Sequence, residues 1–92
     1  MKKETKQIKD DEGNLLGEMH YLNGIADGVC RLWYKSGQLN QESNYSEGIL
    51  NGTYRSWWNN GVLKEEIEFV WGVKKSSKHF NQNGELVSEY TS

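Results

Sequence analysis

The chain has 92 residues, which is room for one domain and too little for two. Only 35% of them are hydrophobic while 12% are aromatic, so apolar contact has to come from a few large rings, not from a broad aliphatic core. A net charge of −2 gives no basic field to attract nucleic acid, and the single Cys30 cannot form an internal disulfide.

The opening residues, Met1-Lys2-Lys3-Glu4-Thr5-Lys6-Gln7, are followed by Ile8-Lys9-Asp10-Asp11 and by no apolar run of signal-peptide or bilayer-spanning length. The expected location is the cytoplasm. From there the chain repeats. Gly13-Asn14-Leu15, Gly37-Gln38-Leu39, Gly61-Val62-Leu63 and Gly84-Glu85-Leu86 share one pattern, the first three glycines 24 residues apart and the fourth 23 further on. Three residues after each leucine stands a glutamate: Glu18, Glu42, Glu66 and Glu89. Tyr21, Tyr45 and Phe69 follow, then Gly24, Gly48 and Gly72. Units of roughly 5–26, 27–50, 51–74 and 75–92 result, in one domain spanning 1–92.

Each unit reads as a β-hairpin. In the first, a turn at Glu12-Gly13 sets Gln7 opposite Glu18. In the second, Ser36-Gly37 forms the tip, with Tyr34 opposite Leu39, Leu32 opposite Gln41 and Arg31 opposite Glu42. A connecting turn at Glu47-Gly48 then sets Tyr45 opposite Leu50. The third turns at Asn60-Gly61, with Trp58 opposite Leu63 and Arg55 opposite Glu66. The fourth turns at Asn83-Gly84 and sets Lys78 opposite Glu89. Asn-Gly predicts a two-residue tip in which both residues have positive φ. One residue is missing between Lys74 and Phe80, which predicts a bulge near Lys74-Lys75-Ser76-Ser77 and moves Phe80 onto the slot of Trp33 and Trp57. The expected fold is all-β: an elongated single antiparallel meander sheet of about four hairpin repeats, with Gly13, Gly37, Gly61 and Gly84 as the structural turn glycines.

Alternation divides the side chains between two faces. Cys30, Leu32, Tyr34, Leu39, Tyr45, Leu50, Tyr54, Trp58, Leu63, Ile67 and Phe69 fall on one, the expected core. Arg31, Trp33, Glu42, Arg55, Trp57, Lys64 and Glu66 fall on the other, with Trp33 and Trp57 either open or lying flat beneath arginines. Cys30 therefore reads as a small core hydrophobe, and His20 and His79, in different units, lack partners at metal-ligand spacing. A carboxylate that recurs once per hairpin behaves as a structural ladder, not as a catalytic pair. The glycines are spaced for hairpins and not for cradling phosphate. No enzyme, metal or cofactor is expected.

Trp57-Trp58-Asn59-Asn60-Gly61-Val62-Leu63-Lys64-Glu65-Glu66 is the clearest copy of a unit that resembles the MORN-repeat-variant family, over roughly residues 8–92. The first unit lacks the aromatic pair, and the fourth has Ser76 where a glycine would stand. The resemblance implies an open antiparallel sheet and, because many bacterial members are labelled antitoxins, a neutralising role. The expected function is a non-catalytic protein-binding module of antitoxin or immunity type, or a mobile-element or phage inhibitor of a host nuclease or defence protein. Trp33, Trp57, Arg31, Arg55, Glu42, Glu66 and Phe80 are its candidate contacts. Single-stranded nucleic-acid binding by stacking on Trp33 and Trp57 is the alternative, and it lacks a positive groove. Self-association through edge strands near Ile8 and Tyr90 is a third reading, making a homo-oligomer; no membrane partner is expected.

Overall fold

Ten Gly and no Pro suit a chain that turns often and needs every backbone N–H for its ladders. A computed structural model describes all 92 residues, and its regular structure is entirely strand. The strands are β1 (Lys3–Lys9), β2 (Leu15–Leu22), β3 (Ile25–Ala26), β4 (Gly28–Trp33), β5 (Leu39–Ser46), β6 (Ile49–Leu50), β7 (Gly52–Trp57), β8 (Leu63–Val70), β9 (Val73–Phe80) and β10 (Leu86–Thr91). They form one antiparallel sheet in the order β1-β2-β4-β5-β7-β8-β9-β10, with β3 pairing on β2 and β6 on β5. Sequence neighbours are spatial neighbours throughout, as expected for hairpin repeats. The sheet measures 41 × 36 × 11 Å, one layer thick.

Its two ends use different turns. At the tips, Gly37 N–H donates to Tyr34 O and Tyr34 N–H to Gln38 O, both at 2.9 Å, and the same pair of bonds closes the tips at Asp10–Asn14, Trp58–Val62 and Asn81–Glu85. Only the glycine has positive φ: Gly13, Gly37, Gly61 and Gly84 lie between 85° and 95°. These are longer loops closed by a glycine bulge, and not the two-residue tips expected at Asn60-Gly61 and Asn83-Gly84. The two-residue form sits at the other end instead. There Asn23-Gly24, Glu47-Gly48 and Trp71-Gly72 have positive φ at both residues.

Each hairpin also carries a bulge just below its tip. The register shifts between Ile8 and Lys9, Leu32 and Trp33, Ser56 and Trp57, and Leu86 and Ser88. The expected pairs Tyr34–Leu39 and Trp58–Leu63 are therefore corrected: Trp33 faces Leu39 and Trp57 faces Leu63. Below the bulge the expected register holds, with Leu32 opposite Gln41, Arg31 opposite Glu42, Arg55 opposite Glu66, Lys78 opposite Glu89 and Gln7 opposite Glu18. The tip loop displaces the register by one residue and the bulge restores it. The missing residue before Phe80 is accounted for as well. Between Ala26 and Cys30 the chain loops out around Asp27-Gly28, whereas β9 accommodates Lys75 as a single bulged residue between the pairs Glu68–Ser76 and Phe69–Lys74.

The expected core is corrected too. No hydrophobic residue is buried; the buried residues are Gly17, Ser43, Ser56 and Ser77. With nothing packed on either face, a large side chain can be covered only by its in-plane neighbours. The small residues sink between them: a Cβ on Gly17 would meet Leu32 Cδ2 at 3.0 Å and Ile8 Cδ1 at 3.3 Å. Tyr54 and Phe69 meet edge to face, their centroids 6.5 Å apart, a ring contact made within one face.

Candidate functional site

Residues opposite one another in an antiparallel pair share a face. Followed across all seven pairings, one row runs Gln7, Glu18, Arg31, Glu42, Arg55, Glu66, Lys78, Glu89. Donor and carboxylate alternate along its whole length. Arg31 Nε donates to Glu42 at 2.8 Å, Arg55 Nε to Glu66 at 2.9 Å, and Gln7 Nε2 to Glu18 at 3.2 Å. The alternation of cation and glutamate continues between hairpins in register, with Glu18 opposite Arg31, Glu42 opposite Arg55 and Glu66 opposite Lys78, while the close ion pairs are those within the hairpins, Arg31–Glu42 and Arg55–Glu66. A half-exposed pair contributes about 0.2–1 kcal/mol, so the row fixes register more than it stabilises.

Two residues along each strand towards the tips, on the same face, runs an apolar row. Trp33 follows Arg31, Trp57 follows Arg55 and Phe80 follows Lys78, and the bulges set Leu39, Leu63 and Leu86 opposite them. Leu15 and Trp33 line one shallow depression together with Asn14 and Lys35. Trp33, Trp57 and Phe80 are half-buried and Leu86 is exposed. The two rows together bring all seven candidate contacts onto one face and add Leu39, Leu63 and Leu86, the first two of which simple alternation had assigned to the opposite side. Lys64, placed on this face by alternation, and its counterpart Asn40 are the extra residues of the bulges; the Lys64 ammonium lies over the Trp58 ring, 4.5 Å from its centroid. The arginines do not stack on Trp33 or Trp57: the cation–ring contacts are made by Lys6, Lys64 and Lys74 on other rings, and the Arg31 and Arg55 Nε atoms bond Glu42 and Glu66.

Tyr34 and Trp58, one position further on, have a role that alternation did not reveal. Tyr34 Oη donates to Trp57 O at 2.8 Å, and Trp58 Nε1 donates to Phe80 O at 3.1 Å. Each clasps the backbone of the next hairpin and holds successive members of the apolar row in register. The equivalent residues in the outer hairpins, Asp10 and Asn81, cap their own turns. That exchange of ring for cap was the visible signal.

Cys30 lies on the opposite face beside Ser43, whose buried hydroxyl has no hydrogen bond of good geometry. Burial pushes the Cys30 thiol above its ordinary pKa, with the Ser43 hydroxyl opposing weakly. Burial, and next the Glu65 carboxylate, push the Tyr54 phenol up. His20 lies 3.1 Å from Thr5 Oγ1, whereas His79 alternates with Lys78 onto the Cys30 face. No cluster of His, Cys, Asp and Glu is arranged to hold a metal.

Two hairpins with a Trp–Leu pair, a charge pair and an aromatic clasp make a recognisable unit. The MORN repeat variant model matches the chain twice, over residues 26–47 and 50–70. No curated protein and no solved structure matches it. The matched MORN-type segments are the two central hairpins, which hold Arg31, Trp33, Glu42, Arg55, Trp57 and Glu66; Phe80 lies beyond them. MORN-type repeats are in general non-catalytic modules that mediate protein interactions.

Proposed function

We propose that the chain is a non-catalytic binding module that neutralises a partner protein, working in the cytoplasm through the face that carries the charge ladder. One observation carries this reading: the row of Trp33, Leu39, Trp57, Leu63, Phe80 and Leu86 runs beside a ladder of paired charges, and no other element covers it. Half-buried rings in a rigid frame, bordered by charges, are what binding hot spots use. Alternate strands lie roughly 10 Å apart, so Trp33 and Trp57 offer two anchors to one partner. The antitoxin role implied by the family resemblance makes a toxic or defence enzyme the partner class. The absence of a basic groove argues against single-stranded nucleic acid, even with rings to stack on.

The test is a partner isolated from the native host, with its affinity measured by calorimetry against wild type and the Trp33→Ala, Trp57→Ala double variant. The variant is expected to fold and to lose more than about 2 kcal/mol of binding energy. Unchanged affinity in a folded variant would remove this face from the interface. Unfolding of the variant would make the rings structural.

A further inference from the structure

The ladder has two unfinished ends. At all three junctions between hairpins, the glutamate of one stands in register opposite a cation on the first strand of the next: Glu18 with Arg31, Glu42 with Arg55, Glu66 with Lys78. Glu89 on β10 is the last glutamate and has Lys78 on one side only. Gln7 on β1 is the first donor and has Glu18 on one side only. β1 and β10 are the two edges of the sheet, each with a single neighbour. We propose that they are complementary, and that a second copy of this chain docks its β1 on β10 head to tail, continuing the sheet in the register Glu89–Gln7, Ser88–Ile8, Tyr90–Lys6.

Three features favour this arrangement over other edge pairings. The direction is right: the first strand of a hairpin runs antiparallel to the second strand of the hairpin before it, so β1 of another copy meets β10 as β4 meets β2. The charges match: β1 carries Lys3, Lys6 and Lys9 against Glu4, while β10 carries Glu89 alone. Two β1 edges would repel, and two β10 edges would bring their glutamates together. The side chains match as well. Ile8 is exposed and would meet the small Ser88, as Leu32 meets Gly17 at the first junction. Lys6 lies 5.1 Å from the Tyr21 ring centroid, and across the junction it would stand opposite Tyr90, whose ring already carries Lys74 at 5.0 Å, so this pair adds apolar contact from the lysine stem and not a second cation–ring contact. The contact is heterologous, so each copy keeps one edge free for the next and assembly does not stop at a symmetric dimer.

Sedimentation equilibrium of the 92-residue chain from ~10 µM to ~1 mM at low salt provides the test, since screening weakens contacts between exposed charges. The weight-average mass is expected to rise with concentration above the 10.6 kDa of the monomer. The rise should be abolished in Glu89→Lys and enhanced in Gln7→Lys. A mass fixed at the monomer value up to the highest concentration overturns the proposal. Register is tested in a Cys30→Ser background by oxidising a mixture of Ile8→Cys and Ser88→Cys variants. A disulfide-linked dimer is expected from the mixture and not from either variant alone, and equal cross-linking of the separate variants overturns the head-to-tail geometry.

Discussion

Asp10 and Asn81 occupy one position in the first and last hairpins and cap their turns with the same Oδ1 acceptor, one on a carboxylate and the other on an amide. Asp10 Oδ1 accepts from the Glu12 and Asn14 N–H groups at 2.9 Å, and Asp10 Oδ2 accepts from Asn14 Nδ2. Asn81 Oδ1 accepts from the Asn83 and Glu85 N–H groups, while its own amide donates to Glu85. The hydrogen bond from the Asn14 side chain, followed by that from its backbone, holds the Asp10 carboxyl below the ordinary carboxylate range. A lowered pKa means that the folded state favours the ionised form. The stabilisation is complete above the unfolded value and is lost as pH falls through the folded one, which places the loss below about pH 4. Asp10→Asn keeps an acceptor without the charge. Acid titrations followed by circular dichroism should therefore show a smaller loss of stability below pH 4 in the variant than in wild type.

At the scale of elements, the hairpins, their tip positions and the pairs remote from the tips were legible, because glycine, leucine and glutamate recur at fixed spacing. Tip geometry was not. Asn-Gly suits a two-residue turn, yet it equally suits a loop in which the glycine alone needs positive φ, and the compensating bulge leaves no mark on the remote pairs. Alternation carried through that hidden bulge put Leu39 and Leu63 on the wrong face, while it placed Trp33, Trp57 and the ladder correctly. The connecting turns contain a further surprise. Trp71 holds φ 45° and is 53% exposed, in the position filled by Asn23 in the first such turn. A bulky residue is strained there, whereas asparagine tolerates the left-handed region. Trp71→Asn is expected to raise stability by about 0.5–1 kcal/mol in urea unfolding, and a decrease would mean that the ring makes contacts worth more than the strain.

At the scale of the molecule, the openness of the sheet was foreseeable and its lack of a core was not. A face rich in Leu, Ile, Tyr and Phe reads as a core face, but burial needs a second layer, and 92 residues here are spent on width. Cohesion comes from the ladder bonds between neighbours, the clasps of Tyr34 and Trp58, and contacts within each face. The absence of buried hydrophobic residues has a thermal consequence. The heat capacity of unfolding comes mainly from apolar surface newly exposed to water, at about 12–15 cal/mol/K per residue in ordinary domains. In this sheet the large apolar side chains of the central strands are half-buried and those near the edges exposed, so part of that surface is already wet. Calorimetry should return a value below about 1 kcal/mol/K for the whole chain, and with it a shallow stability curve whose height changes little between cold and warm conditions.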